Sequence, residues 1–518
     1  MQYANLYHRL GLTEGDIILI ILKHSPDLYY SFLGAMLAEC IPSYLAYPTI
    51  KQIPEIYWKS QEKLFSRKST KGLVAYNEYI TEHHERIGAL GIHVISPEDA
   101  QKSDSRELNP AISSSHTALL QHSSGTTGYK KGVALSHSAI LSQVESYARK
   151  NKFQTGNKIV SWLPLYHDMG LIACFMLPVI LGIPIISLDA FEWTGNPKLL
   201  FEVIDRLRCT HTWLPNFAFH HLSRTVPDNQ AYDLSSMKAF INCSEPCKPE
   251  TFELFLERFS SYGVSNETLQ TCYAMAETVF AVTQTEPGKY PEVINADLDE
   301  LTMNQLVLPS IDNEAAIRFL SVGTPIDGLS VKITDQDDHI LPDGNVGEIA
   351  ISGHCLFDGY YQLETETREK IRDDWYFSGD LGFIKEGELF ITGRKKDIII
   401  INGRNFYAHD IESAANSVHG IKPGRNVAVG IYNDQTGSEE VILIAETSIT
   451  DKNELKKVNR GVKQQIISEL NLMIKSVAFF PPGWLVKTSS GKISRKENTR
   501  KYIEHLGNNN PERLVYET

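Results

Sequence analysis

Short runs of apolar, largely β-branched residues recur along the first half of the chain, separated by longer segments of helical periodicity, and this alternation sharply limits what the chain can fold into. The runs are "GDIILIILK", "KGLVAYN", "IHVIS", "KIVSWLP", "IPIISL" and "KAFIN". Between them, segments such as "YYSFLGAMLAEC" and "PKLLFEVIDRLR" space their apolar residues three and four apart. A strand that is apolar along its whole length needs cover on both faces, so the expected class is α/β, with sheets covered by helices. After about Val279 the texture changes: "LSVKITDQDDHILPDGNVGEIAISG" alternates polar and apolar residues around Gly and Asp turns, which predicts a hairpin-rich β unit. Further on, the basic, turn-prone stretch Gly393–Asp397 separates one strand from a run of four isoleucines. A domain boundary is expected there, dividing a large unit at 1–395 from a small α+β domain at 396–518. No internal repeat or low-complexity segment interrupts this plan.

Composition excludes several classes of function. A net charge of −13 over 518 residues argues against nucleic acid as a partner, because such affinity comes largely from lysines and arginines replacing counterions. Any phosphate must therefore be held by a local pocket. The seven cysteines are scattered and odd in number, which reads as reduced thiols and a cytoplasmic location. Cys243 and Cys247 are the close pair, but no second Cys or His pair stands at zinc spacing. The start, "MQYANLYHRLGL", has no basic region followed by an apolar core, so no signal peptide is expected. Met169–Leu188 is twenty residues without a charge, long enough to cross a bilayer. Pro178, Gly182 and Pro184 fall inside it, and a core helix, a turn and a strand are expected instead of a span.

The stretch Leu120–His137, "LQHSSGTTGYKKGVALSH", has the parts of a phosphate cradle expected between a strand and a helix: backbone N–H groups freed by glycine, hydroxyl donors and lysines. It is not a Walker A loop, since no Gly-Lys pair follows Gly125 at the required spacing. Alone, it reads equally well as a solvated turn. A second lysine-bearing loop, "KTSSGKISR", stands at Lys487–Arg495. Between the two lie "YAMAE" at Tyr273–Glu277, "YFSGDLG" at Tyr376–Gly382 and "GRKKD" at Gly393–Asp397. These offer an acid able to hold a magnesium ion, an Asp able to take two ribose hydroxyls, and an Arg beside a hinge. Each is weak singly; in this order, across about 370 residues, they are specific.

Together these motifs resemble the adenylate-forming superfamily of acyl-CoA synthetases, peptide-synthetase adenylation domains and luciferases. A narrower resemblance, to fatty acyl-AMP ligases, rests on "SWLPLYHDMGLI" at Ser161–Ile172, "LPNFAFHHL" at Leu214–Leu222, "DLSSMKAFINCSEPCKPETFELF" at Asp233–Phe255 and "GRNFYAHDIE" at Gly403–Glu412. The resemblance runs from "GLTEGD" to "GKISRK", and implies a large domain with the site at its surface and a small C-terminal domain that rotates between two half-reactions. It implies ATP and Mg2+ as cofactors and places Ser123, Ser124, Gly125, Thr126, Thr127 and Lys131 on the phosphate loop, with Thr127 also beside the metal. Ser244, Glu245 and Pro246, with Cys272 and Tyr273, match the adenine stretches. Glu277 matches the magnesium-side acid, Asp380 and Arg394 the ribose contacts, Lys396 the hinge and Lys492 the catalytic lysine. Trp162, His167, Asp168, Met169, Asn216 and Phe217 fall where the family lines its acyl pocket, and His167 is also a candidate catalytic group.

The implied activity is activation of a carboxylic acid, a fatty acid first, as its acyl-AMP, followed by transfer to the phosphopantetheine thiol of an acyl carrier protein acting in trans. Free CoA as acceptor is the first alternative, and an enzyme activating amino acids or aryl acids the second; Asp168 is the one carboxylate in the expected pocket for a substrate ammonium. Several positions depart from the family pattern: Lys130 for Pro, Cys243-Ser244 for Gly-Ala, Ala274 for Gly and Val486 for Pro. The stretch before "GLTEGD" is also shorter than the family's. In "GYYQLETETREKIRDDWYFSGDLG", the extra segment that fatty acyl-AMP ligases carry ahead of the Trp is absent, which leaves the acceptor open.

Overall fold

The computed structural model describes the chain except residues 49–56, 59–60, 62–63, 124–130, 228–230, 311–315, 434–437, 488–491, 508–515 and 518. The chain divides into two compact units, one of residues 1–291, 323–330 and 352–376, the other of 292–322, 331–351 and 377–518.

In the first unit all six apolar runs become strands in parallel pairings. Ile17–Ile21 sits between Ile41–Tyr44 and Thr70–Ala75, and His93–Ile95 extends the edge, giving a four-stranded sheet with every pair parallel. A seven-stranded sheet runs in the order Thr324–Pro325, Ala281–Gln284, Leu269–Ala274, Ala239–Cys243, His211–Leu214, Ile159–Ser161, Ile185–Ser187. Its five strands from Leu269–Ala274 to Ile185–Ser187 pair in parallel, and the other two join antiparallel. The periodic segments form the helices Pro26–Leu37 and Leu199–Leu207, each turning apolar residues inward. The uncharged stretch forms a π-helix at Met169–Met176, continued by the helix Leu177–Leu181, then the strand Ile185–Ser187. Gly182 stops the helix in the left-handed conformation, φ 65°. Among the described residues no helix is long and apolar enough to cross a membrane.

One expectation is corrected here. A phosphate loop was expected between a strand and a helix, but the loop after Ser123 joins two antiparallel strands, Thr117–Ser123 and Lys131–Ser136, and the helix begins at His137. "GVALS" continues the apolar run of the hairpin, so the helix start falls to Ser136, whose Oγ accepts from the Ala139 N–H.

The second unit holds the hairpin Val293–Asp297/Ala316–Leu320 and the long hairpin of Trp375–Lys385 with Glu388–Arg394, which belongs to this unit from Phe377 onward. The isoleucine run pairs as Ile398–Ile401 with Arg404–Tyr407. Asn426–Asn433, Ser438–Glu446, Ser476–Phe480 and Tyr516–Glu517 form a four-stranded sheet, its parallel middle pair connected through the helix Lys452–Leu470. A continuous core from Ala296 and Phe319 through Phe383, Phe406 and Ile411 to Leu443, Val462 and Phe479 holds these pieces together.

Candidate active site

The carboxyl ends of parallel strands gather the expected residues of the first unit along one edge of the seven-stranded sheet, where open α/β sheets characteristically bind ligands. Ile159–Ser161 runs out into Trp162 and, a turn later, His167, Asp168 and Met169. His211–Leu214 runs into the helix that starts at Asn216 and Phe217. Ala239–Cys243 delivers Ser244, Glu245 and Pro246, and Leu269–Ala274 carries Cys272 and Tyr273 before the turn bearing Glu277. The register sets Cys243 opposite Cys272, so the two stretches expected to hold adenine lie side by side.

Cross-links between strand ends stiffen this edge. The Phe217 N–H donates to Glu245 Oε2 at 2.9 Å, and Asn242 Nδ2 donates to Asn216 Oδ1 at 2.8 Å. Ser244 stands at φ 72°, a left-handed backbone that a non-glycine residue adopts at a cost of about 1–3 kcal/mol, and its Oγ lies 3.8 Å from the Met169 sulfur. Met169 opens the π-helix, a distortion that is frequent at functional sites. Gly170 is required there, since a Cβ would come within 2.3 Å of the Pro164 carbonyl oxygen. Asp168 Oδ1 accepts from the Met169 N–H at 2.9 Å and caps this helix. Its carboxylate thus has a local structural task, which weakens its candidacy as a partner for a substrate ammonium. His167 is half-buried with its ring edge-on to Tyr166.

Trp162 is buried and stacks on Trp193 with ring centres 3.8 Å apart and planes 5° from parallel, while the half-exposed Phe217 meets it edge-on. Trp193 carried no sequence signal, standing in the short helix Ala190–Gly195 beside a second aromatic, Phe191. A cleft open to solvent lies on the Trp162 side, with Leu22, Leu28, Tyr44, Leu45 and Leu165 among its apolar lining. Of the expected acyl-pocket residues, Trp162 alone lines it.

Glu277 is the most constrained of the candidates. It sits on the one-turn 3-10 helix Ala276–Thr278, and the next residue, Val279, is at φ 65° and ψ −54°. A β-branched residue there is a real outlier, and the strain, about 1–3 kcal/mol, is held by a tight turn in which the Phe280 N–H donates to the Thr278 carbonyl. The Glu277 carbonyl accepts from the Phe357 N–H at 2.9 Å, and its Oε1 accepts from the Tyr360 hydroxyl at 2.9 Å. Tyr360 also lies under the Lys131 ammonium, 4.6 Å from the ring centre. Burial, and then the Glu277 charge, raise the Tyr360 phenol's pKa, so it stays a proton donor. Tyr360 was not a candidate in the sequence; it is an uncharged residue 83 positions from its partner. Ser124, Gly125, Thr126 and Thr127 lie outside the described residues, as does the Ser123 side chain; the Ser123 backbone pairs with Lys131 at the mouth of the hairpin.

In the second unit, Asp380 and Arg394 face each other across the long hairpin, with Arg394 Nε 2.9 Å from Asp380 Oδ1. Asp380 is buried and its N–H donates to Ser378 Oγ, whereas Arg394 is exposed. Lys395 pairs with Glu348 at 2.9 Å, and Lys396 is exposed. Lys492 is exposed next to a one-residue bridge between Lys487 and Ile493. The helix Glu364–Lys370 runs directly into the strand Ile371–Arg372 of a tight hairpin, so no additional element stands ahead of Trp375.

Known proteins resemble the chain over most of its length. The family described as AMP-binding enzyme matches residues 1–361, and the AMP domain of the Disco-interacting protein 2-like family matches 396–508. The medium-chain-fatty-acid–[acyl-carrier-protein] ligase JamA of Moorena producens is 33% identical over 76% of this chain and 69% of its own. The long-chain-fatty-acid–AMP ligase FadD26 of Mycobacterium bovis is 29% identical over 94% of this chain and 87% of its own. The 4-hydroxyphenylalkanoate adenylyltransferase of Mycobacterium tuberculosis is 30% identical over 95% and 83%. A structure solved in a study of fatty acyl-adenylate ligases from E. coli and L. pneumophila superposes with a TM-score of 0.90 at 25% identity, covering 98% of this chain and 91% of that one. The chain belongs to the AMP-binding family of adenylate-forming enzymes, as its sequence motifs led one to expect.

Proposed function

We propose that this protein activates a fatty acid as its acyl-AMP, using ATP and Mg2+ and releasing pyrophosphate, and then passes the acyl group to the phosphopantetheine thiol of an acyl carrier protein. The observation that carries the reading is the convergence of Trp162, Met169, Asn216, Ser244, Cys272 and Glu277 on the carboxyl ends of neighbouring parallel strands. The names of the relatives, fatty-acid–AMP and fatty-acid–carrier-protein ligases, support the same substrate and acceptor.

The donor set fits the nucleotide and its metal. Glu277 presents a carboxylate in a fixed orientation, as a hard divalent cation requires. Magnesium, when bound, neutralises polyphosphate charge. The residues of the chain do the rest. The buried ends at Ser244–Pro246 and Cys272–Tyr273 would seat the adenine, and Asp380 with Arg394 would take the ribose hydroxyls. The substrate carboxylate attacks the α-phosphorus as pyrophosphate leaves, so two anions must be brought together. Two unit charges 4 Å apart interact by about 4 kcal/mol at an effective dielectric near 20, which is the scale of what Lys492 contributes by bridging carboxylate and α-phosphate. Lys492 and Lys396 are both exposed, and Lys396 would serve as the hinge by which Lys492 is brought in for adenylation and withdrawn for transfer.

Free CoA remains the second acceptor because of one observation: the helix Glu364–Lys370 leads straight into Ile371 with no extra segment. Mass spectrometry of products from ATP, Mg2+ and a panel of fatty, aryl and amino acids, with CoA or a phosphopantetheinylated carrier protein, decides. Acyl-AMP that accumulates with CoA and disappears with the carrier supports the proposal. Acyl-CoA formation at comparable rate overturns the acceptor, and no acyl-AMP from any fatty acid overturns the substrate.

A further inference from the structure

Glu277 and the hairpin that carries the phosphate loop are tied together by one short segment, 357–361. Gly359–Tyr360 pairs antiparallel with Lys131–Ser136, setting Tyr360 opposite Val133. The Asp358 N–H donates to the Ala134 carbonyl at 3.0 Å, and the Tyr361 N–H to the Gly132 carbonyl at 2.7 Å. The same segment grips Glu277 twice, at its backbone carbonyl through the Phe357 N–H and at its carboxylate through the Tyr360 hydroxyl. A further bond, from the Tyr360 N–H to Thr367 Oγ1, anchors the segment to the helix that follows.

The protons in this group have one consistent order. A carboxylate only accepts, so the Tyr360 proton points at Glu277. Tyr376 is hydrogen-bonded to the Tyr360 phenol and must then be the donor in that bond. Two buried phenols thus aim a chain of donors at Glu277 Oε1, while Lys131 lies over the Tyr360 ring. A carboxylate held this way has lost its side-chain rotation before any ligand arrives.

We propose that Tyr360 is a positioning residue for the metal-bearing acid: its hydroxyl fixes the Glu277 carboxylate at a set place relative to the phosphate-loop hairpin, so that magnesium and the polyphosphate meet a preformed site. This rests on the reading of Glu277 given above. In this role Tyr360 acts through Glu277 and needs no contact of its own with substrate or metal. Tyr360→Phe keeps the ring under Lys131 and removes the hydroxyl alone.

The test is ATP affinity of the full chain by calorimetry, without acid substrate and so without turnover, in Mg2+ and again in EDTA. Tyr360→Phe is expected to lose about tenfold of the affinity that magnesium adds, the size of one hydrogen bond to a charged group, with its affinity in EDTA unchanged. Glu277→Gln should lose that gain as well, and Tyr360→Phe/Glu277→Gln should be no weaker than Glu277→Gln. Tyr376→Phe, which leaves the Tyr360–Glu277 bond in place, should change the gain by less than about twofold. An undiminished magnesium gain in Tyr360→Phe, an equal loss with and without magnesium, or an equal loss in Tyr376→Phe overturns the positioning role while leaving Glu277 as the acid. A full magnesium gain in Glu277→Gln instead removes the Glu277 reading, and this proposal with it.

Discussion

Glu277 and Lys492, the two groups expected to carry charge through the reaction, are held in opposite ways. Glu277 follows a buried strand, on a strained turn, with its carbonyl and carboxylate both bonded to one neighbouring segment. Lys492 is exposed, next to Ile493, which bridges to Lys487. The difference matches what each would have to do. A group that organises a polyphosphate gains from having no freedom left to lose. A cation needed in one half-reaction and obstructive in the next must be free to come and go.

The largest effect that would break this comparison is on Lys492. Lys492→Ala should slow acyl-AMP formation by about 10²–10³-fold, leave the melting temperature unchanged, and spare thioester formation from a supplied acyl-adenylate. Equal losses in both steps would remove the two-position account. On the rigid side, Gly170→Ala should destabilise the first unit by about 1–3 kcal/mol in denaturant unfolding, since the new Cβ collides with the Pro164 backbone and neither element can yield cheaply. Unchanged stability would show this edge to be softer than its contacts suggest.

Acid should strike the rigid side as well. His211 is buried in the seven-stranded sheet, and burial lowers its pKa from 6.5 to about 3. The unfolded chain therefore binds a proton there that the folded chain refuses, and stability falls as pH drops below about 6.5, by about 1.4 kcal/mol per pH unit from this group. A His211→Gln variant should show a shallower acid slope in unfolding measured between pH 7 and 4.5; an unaltered slope would mean that His211 is not the group responsible. The smallest effect is expected at Arg404, paired with the exposed Asp299 in the second unit. Asp299→Asn should cost less than about 1 kcal/mol, since water screens such a pair.

Much of the fold was legible because burial on both faces of a parallel sheet leaves a plain trace in sequence. All six apolar runs became strands of the first unit's two parallel arrays, and the uncharged segment at Met169 became helix, turn and strand. Candidate residues could be named because adenylate chemistry restricts residue type: an acid at 277, an Asp at 380, a lysine at 492. What stayed hidden were partners with no such restriction. Tyr360 is one of 23 tyrosines, and nothing local distinguishes it until the pairing of Gly359–Tyr360 with Lys131–Ser136 brings it to Glu277. Trp193 likewise acquires its place by stacking on Trp162. The flanks of the phosphate loop were misread because a short apolar run serves strand and helix equally until a partner strand is present.

The sequence by itself determined the class of fold and which side chains were available for adenylate chemistry, since both depend on residue type and local spacing. Tertiary structure alone decided which of those side chains are held. A hydrogen bond between residues 83 apart needs the intervening chain to fold before it exists, and only then is Glu277 held in place, whereas Lys492 stands exposed.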